Sequence, residues 1–228
     1  MMVGVSLMRR ILKIDNSYEL YEYLKNLNLI EHREERWWPN SGTFEVVVGA
    51  ILTQNAKWEK VEISLENLRK FNLLDLESLR DTEILTEAIE PSGLYRQKSE
   101  RLKLLSFNIL EEFGDFETFC SNVSREWLLE QKGIGQETAD SILCYACKRD
   151  VMVSDSYSAR ILNHFGWEFE SYDEVQSFLK SGIDDFYDGY KELSIVYAQF
   201  HGMIVEFCKT QCKGKKVNSN FIHPHKMR

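Results

Sequence analysis

Apolar side chains recur at three- and four-residue spacing along almost the whole 228-residue chain, and this helical periodicity constrains the fold most. The clearest stripes run through 44–52 and 193–207, where the large apolar residues share one helical face. Only 150–154 reads as an extended segment, and it is too short to build a sheet. The sequence therefore predicts an all-α fold.

Charge and cysteine content narrow the classes of function. The net charge of −8 argues against a nucleic-acid surface built on a surplus of lysine and arginine. Residues 213–228 form a basic tail, which we expect to be flexible and solvated, although it is also a possible DNA contact. Five irregularly spaced cysteines favour a reducing compartment, and no apolar run is long enough for a membrane span, so a cytoplasmic protein is expected.

The most informative stretch is 127–139, where one amphipathic run stops at Gly133-Ile134-Gly135 and a second begins at Gln136. Glycines permit a tight turn and let a phosphate approach the backbone closely. The N–H groups of such a turn, together with the start of the next helix, form an anion site that needs no lysine. Taken alone, the Gly-x-Gly pattern favours a plain turn between two helices.

Asp155 follows this stretch after a short extended link, at the start of another helical run. An aspartate in this position is ordinarily an N-cap. The order of helix, Gly-x-Gly turn, helix, extended link and aspartate, however, resembles the helix-hairpin-helix DNA glycosylases of the endonuclease III superfamily. The sequence matches the pattern of that family at Gly133, Ile134, Gly135, Thr138, Ala139, Asp155, Ser156 and Arg160.

The resemblance implies two helical lobes with the active-site cleft between them. It predicts a helical-barrel lobe over 43–165 that contains the hairpin at about 124–147. A second lobe is predicted from both chain ends, 12–42 and 166–212. The partner implied is damaged double-stranded DNA, with no membrane and no obligate protein partner.

The resemblance also implies the reaction. Asp155 would stabilise the oxocarbenium-like sugar that forms when the bond to a flipped-out base breaks, and would orient the attacking water. Members that also cut the strand carry a lysine nucleophile where this sequence has Glu137, so a monofunctional enzyme is expected. The residues predicted to contact DNA are Gln54, Asn55, Lys132, Gly133, Ile134, Gly135, Gln136 and Thr138. Gln54 or Asn55 would fill the gap left by the flipped base, although either could instead cap a helix.

Aromatic residues indicate the base. Longer matches, such as Trp37–Asn40 and Leu52–Asn55, resemble the bacterial 3-methyladenine DNA glycosylase III group within the superfamily. A pocket of Trp37, Trp38, Pro39 and Trp58 would stack on a positively charged, N-alkylated purine such as 3-methyladenine. One departure is Met203, which stands where that group can carry a lysine facing the pocket.

No cofactor is expected to be required. A [4Fe–4S] cluster needs four thiolates, whereas Cys208 and Cys212 are the only cysteines near the C-terminal end, so none is expected. A zinc site built from these cysteines with His223 and His225 is conceivable. A monovalent cation bound by the carbonyls of Gln131 and Gly133 is a further possibility.

Two other functions stay open from the sequence. One is an endonuclease III-like glycosylase and lyase acting on oxidised pyrimidines, against which Glu137 and the missing cluster cysteines argue. The other is a non-catalytic helix-hairpin-helix DNA-binding module, against which the position of Asp155 argues.

Overall fold

The computed structural model of the protein describes residues 14–189, 191–213 and 216–217. Helices account for most of this part of the chain, as the periodicity predicts. They are α1 (Ser17–Lys25), α2 (Phe44–Leu52), α3 (Trp58–Lys70), α4 (Leu76–Asp81), α5 (Leu85–Ala88), α6 (Tyr95–Phe113), α7 (Phe116–Asn122), α8 (Arg125–Glu130), α9 (Gln136–Ser141), α10 (Ser156–His164), α11 (Tyr172–Phe186) and α12 (Leu193–Gln211).

Short elements complete the described chain. A 3₁₀ turn, Glu90–Ser92, lies between α5 and α6, and a π-helical turn, Ile142–Ala146, extends α9. Two strands of two residues each, β1 (Cys212–Lys213) and β2 (Lys216–Val217), pair antiparallel after α12. The all-α prediction is confirmed, since these strands form no sheet of consequence. No helix within the described ranges is long and apolar enough to cross a membrane.

Side-chain caps set the starts of several helices. In each case a side-chain oxygen accepts a hydrogen bond from the N–H of the third helical residue, which otherwise has no partner within the helix. The residues that cap in this way are Asn16, Asp75, Asp115, Ser124, Asp155 and Ser171. The hairpin follows the same logic, because Ser124 starts its first helix and Gly135 precedes its second.

The buried apolar side chains form two clusters. The first is built from α2 to α9 with the π-helical turn, and the second from α1, α10, α11 and α12. The division differs from the predicted lobe boundaries at several residues, Met152 and Ala198 among them. Ile161 and Leu162 of α10 pack in the second cluster, because α10 turns its apolar face toward α12, whereas Trp38 packs in the first.

Polar contacts join the two clusters. The hydroxyl of Tyr145, in the π-helical turn, lies 3.1 Å from the carbonyl oxygen of Ala198 in α12. On the other side, the Gln176 amide of α11 donates to the Asp140 carboxylate (2.8 Å) and to the Met152 carbonyl (2.6 Å). The link that leads to Asp155 is therefore held by α11, through the Gln176 amide at Met152.

Candidate active site

Asp155 is the N-cap of α10. Its Oδ1 accepts from the backbone N–H groups of Tyr157 and Ser158, both at 2.9 Å, and from the Ser158 hydroxyl at 3.2 Å. The Ser158 hydroxyl in turn accepts from the Asp155 N–H at 3.4 Å, which completes a capping box. The ordinary capping role is therefore real, but it uses only one of the two carboxylate oxygens.

The second oxygen, Oδ2, lies 3.5 Å from Nε2 of His201 in α12. Both side chains are nearly enclosed, with 11% of Asp155 and 5% of His201 exposed. Burial alone would raise the pKa of the Asp155 carboxyl, but the contact and charge of His201 and the donors of Ser158 outweigh it and leave the pKa below its usual value. The structure therefore favours an ionised carboxylate at the start of α10.

Glu137 belongs to the same electrostatic group. It lies exposed in the first turn of α9, yet its pKa is raised by partial desolvation and then by the negative charge of Asp155, while His201 acts in the opposite direction. Two carboxyl groups with pKa values displaced in opposite directions thus lie near one another, an arrangement typical of functional sites. Glu137 carries no amine, so it offers no Schiff-base chemistry.

The predicted aromatic residues come together. Trp38 is buried and meets both Trp37 and Trp58 edge to face, with ring centroids 6.1 Å and 5.7 Å away. Tyr145 packs 5.2 Å from Trp38, and the half-buried Pro39 follows in the chain. Trp37 and Trp58 are only half-buried, and the Lys209 amine lies over the Trp37 ring at 5.7 Å from its centroid.

Trp37 is held beside the candidate catalytic carboxylate. Its ring stands edge-on to His201 at 5.6 Å, and its indole N–H donates to Glu206 over 3.1 Å. Its backbone has a φ of +66°, an unusual conformation for a residue with a bulky side chain. Gly202 makes room for the ring, since a Cβ there would lie 2.3 Å from Cγ of Trp37. One wall of the aromatic cluster is thereby fixed next to the His201–Asp155 pair.

The hairpin forms where the sequence predicts it. Gly133 adopts a φ of +81°, and its missing side chain lets the Arg101 guanidinium pack against the turn. Ile134 is buried and anchors the turn in the first cluster, whereas Gly133, Gly135 and Lys132 are exposed. The exposed glycine backbone is thus open to an approaching anion.

Gln54 has a more constrained position than the sequence suggests. Its amide nitrogen donates to the Gly133 carbonyl and to the Thr138 hydroxyl, both at 3.0 Å, and its oxygen accepts from Arg101 at 2.9 Å. The side chain therefore ties α2 to the hairpin. Asn55 follows it, exposed and with a φ of +54°, and is the freer of the two candidates for filling a gap in DNA.

The carbonyls proposed for a monovalent cation already have donors within the protein. Gly133 accepts from Gln54, and Gln131 accepts from the Ile134 N–H at 3.1 Å. A cation would therefore share these oxygens with existing hydrogen bonds. Within the described ranges, no three His, Cys, Asp or Glu side chains are grouped as metal ligands. His223, His225 and the tail from 214 onward, apart from the backbone of 216–217, lie outside the described residues.

Several neighbours of the site are not among the residues predicted from sequence. His201 falls within the apolar stripe of α12, which conceals it, and Tyr145 falls within a buried helical run. Met203 lies two residues beyond His201 in α12. Side chains two positions apart on an α-helix point in nearly opposite directions. Met203 accordingly packs in the second apolar cluster, and the α12 side chain that reaches Asp155 is His201.

Leu94 is a further residue that the sequence did not single out. Its side chain is 54% exposed, and its backbone has a φ of +48° just before α6. The buried amine of Lys98 donates to the carbonyls of Leu52 (2.8 Å) and Ser92 (2.7 Å), which places the Leu94 turn beside the end of α2.

Comparison with known proteins agrees with this geometry. The model of the HhH-GPD superfamily of base excision DNA repair proteins matches residues 48–184. A crystal structure of the 3-methyladenine DNA glycosylase of Helicobacter pylori bound to 1,N6-ethenoadenine superposes with a TM-score of 0.83. It is 44% identical in sequence, and the match covers 87% of this chain and 100% of that one.

Two curated relatives extend the comparison. A protein of Methanocaldococcus jannaschii assigned as a DNA repair glycosylase is 35% identical over 215 residues, which is 90% of this chain and 94% of that protein. Endonuclease III of Thermotoga maritima is 27% identical over 172 residues, or 75% of each chain. The chain belongs to the HhH-GPD superfamily, and it is a DNA glycosylase of the helix-hairpin-helix type.

Proposed function

We propose that this protein is a monofunctional glycosylase that hydrolyses the N-glycosidic bond of alkylated purines in duplex DNA, with 3-methyladenine as the leading candidate. The observation that carries the proposal is the pairing of an aromatic cluster with a single ionised carboxylate. Trp37, which contacts His201, links the two directly. The similarity to a 3-methyladenine DNA glycosylase at 44% identity supports the same substrate class.

The aromatic faces suit a cationic base. Alkylation at a ring nitrogen gives the purine a positive charge, and the faces of Trp37 and Trp58 attract such a ring more strongly than a neutral one. The charged base is also a good leaving group, so it departs without a strong general acid. The base would stack against these two indoles, with Trp38 behind them as a rigid support.

Asp155 would then act on the sugar. As the base leaves, positive charge develops on the deoxyribose, and Oδ2 of Asp155 is the carboxylate oxygen that the helix N-terminus leaves available. The same oxygen can orient the water that attacks C1′. Because Glu137 stands where a lyase would carry its lysine, the covalent route to strand cleavage has no nucleophile there.

DNA would be held mainly through the hairpin. The exposed backbone at Gly133 and Gly135 would bind a phosphate through N–H groups, with Lys132, Gln136 and Thr138 around it. Asn55 would occupy the space of the flipped base, and Leu94 would wedge between neighbouring bases, as exposed apolar side chains do in bent DNA. Gln54 would fix the distance between these residues and the hairpin.

The test is base release from duplex DNA carrying defined lesions. Purified protein is incubated with duplexes that contain 3-methyladenine, 1,N6-ethenoadenine, an oxidised pyrimidine or only normal bases, and the free bases are separated by chromatography. The proposal predicts release of the alkylated adenines and no borohydride-trapped covalent complex. Release of the oxidised pyrimidine with a trapped complex would favour the lyase alternative. Tight binding without release from any duplex would leave a DNA-binding module.

A further inference from the structure

A buried histidine faces the candidate catalytic carboxylate and has no assigned role. His201 is buried, and within the part of the chain that the structure describes its Nε2 has no hydrogen-bond partner at ordinary distance. A buried polar nitrogen without a partner is costly, so it is rarely left in a protein without a function. The carboxylate oxygen that faces Nε2 is Oδ2 of Asp155, 3.5 Å away.

The other ring nitrogen fixes how His201 points. Nδ1 lies 2.6 Å from the Tyr145 hydroxyl, and that hydroxyl also lies 3.1 Å from the carbonyl of Ala198. If Tyr145 donates to Nδ1, the hydrogen of the neutral ring is on Nε2. In that arrangement Nε2 presents an N–H to Asp155.

We propose that His201 is a positioning residue which, anchored by Tyr145, donates its Nε2–H to Oδ2 of Asp155 and keeps that carboxylate ionised and correctly oriented. This inference rests on the proposed role of Asp155 in base release. The α10 N-terminus holds Oδ1 from one side, and His201 holds Oδ2 from the other. The long 3.5 Å separation agrees with a contact that shortens when DNA closes the site, as catalytic hydrogen bonds often do.

Other titratable groups near Asp155 do not perform this task. Tyr145, Tyr157 and Cys208 have raised pKa values, so they stay neutral where a carboxylate titrates. Glu137 is acidic, and its pKa is raised, so it could add its own acid limb to a rate profile. Replacing Glu137 by glutamine in every variant removes that ambiguity and leaves Asp155 as the carboxyl group under test.

The first experiment is a pH profile of single-turnover 3-methyladenine release, measured in the Glu137→Gln background. His201→Phe keeps an aromatic ring and removes the donor, and His201→Gln restores an N–H near the position of Nε2. We expect His201→Phe to move the acid limb to higher pH and to lower the rate by about tenfold at the acid end of the profile, since one pKa unit is a factor of ten there. The His201→Gln profile should lie between the other two. His164→Phe, at the exposed end of α10, is the matched control.

A second measurement does not depend on catalysis. The carboxyl carbon of Asp155 is followed by NMR during an acid titration of the free protein, with and without His201→Phe. The inference predicts that Asp155 titrates at higher pH in the variant than in the His164→Phe control. Identical titrations, or superimposable pH profiles of active enzymes, would overturn it. Failure of the parent protein to release any base would instead count against the proposed function, while the titration would still test the His201–Asp155 contact.

Discussion

At the scale of single residues, small features decide where the large aromatic groups lie. The Trp37 indole packs directly against Gly202 in α12. The Trp38 indole lies farther from Gly49 in α2. An added Cβ would lie 2.3 Å from Trp37 in the first case and 3.5 Å from Trp38 in the second. The first distance forces a movement of the indole, and the second is an ordinary contact.

Gly202→Ala should therefore displace Trp37 from its place beside His201. We expect a loss of about 1–3 kcal/mol in the free energy of unfolding and at least a tenfold rise in the KM for alkylated DNA. Gly49→Ala, which adds the same methyl group to a helix, should change both quantities little. Urea unfolding and steady-state base release measure the two effects. Equal effects of the two substitutions would contradict this packing account.

Lys98 is a second residue whose environment makes a specific prediction. Its buried amine donates to two carbonyls, and burial followed by the charge of Arg101 lowers its pKa to about 8. The unfolded chain, with a lysine pKa near 10.5, therefore binds more protons than the folded protein between pH 8 and pH 10. The contribution of Lys98 to the free energy of unfolding therefore becomes more favourable to the folded state as the pH rises across that window.

Lys98→Met provides the comparison. At pH 7 the variant should be less stable by about 1–3 kcal/mol, because two buried carbonyls lose their donor. As the pH rises from 8 to 10, the stability of the wild type relative to the variant should increase. Urea midpoints of both proteins at each pH give the difference. A difference that stays constant or shrinks over this range would show that the amine is not held at a lowered pKa.

At the scale of elements, the hairpin is joined to α11 by a charged cluster. The Asp140 carboxylate is fully buried and accepts from Arg125 at 2.7 Å and 3.1 Å and from Gln176 at 2.8 Å. At the protein surface, the Gln136 amide also donates to the Asp173 carboxylate at 2.9 Å. Asp140 of α9 therefore connects α8 to α11, which belongs to the second cluster.

Asp140→Asn should weaken the contacts of this side chain with Arg125 and Gln176. It leaves the Arg125 guanidinium without its main counter-ion, and we expect a loss of about 2–3 kcal/mol in the free energy of unfolding. Asp173→Asn removes an exposed carboxylate from the same neighbourhood and should cost about 0–1 kcal/mol. Denaturant unfolding of both variants tests the contrast. A small effect of Asp140→Asn would mean that this charged cluster contributes little to holding the hairpin against α11.

The sequence was informative about elements that follow from local rules. Helical periodicity predicts α2 and α12, and the two glycines predict the turn between α8 and α9. Contacts between distant segments were not predictable in the same way. His201 is 46 residues from Asp155 and lies within an apolar stripe, so only the packing of α12 against α10 reveals the pair. The involvement of Gln54 with the hairpin is hidden for the same reason.

At the scale of the whole molecule, an acidic protein is assigned to an acidic partner. The net charge is −8, and the proposed phosphate contact uses backbone N–H groups more than lysine or arginine. Binding through neutral donors releases few counter-ions from DNA. The charge of the chain is therefore compatible with a DNA glycosylase, provided that its affinity depends only weakly on salt.

We accordingly predict a shallow salt dependence. The slope of log K against log salt concentration for binding to lesion-containing duplex should have a magnitude of about 1–3, since each neutralised phosphate contributes about 0.9. Fluorescence anisotropy at several salt concentrations measures it, and Lys132→Gln should lower the magnitude by about one. A magnitude of about six or more would mean that cationic side chains dominate binding, with the basic tail as the first candidate.

The most direct test of the central claim is single-turnover release of 3-methyladenine by the wild type and by Asp155→Asn. This substitution keeps the shape of the side chain and its capping acceptor and removes the charge that would stabilise the sugar cation. The account predicts that the rate falls by at least about a thousandfold while affinity for the lesion duplex changes less than about threefold. An Asp155→Asn protein that binds the duplex and still releases the base at a rate near that of the wild type would contradict the account.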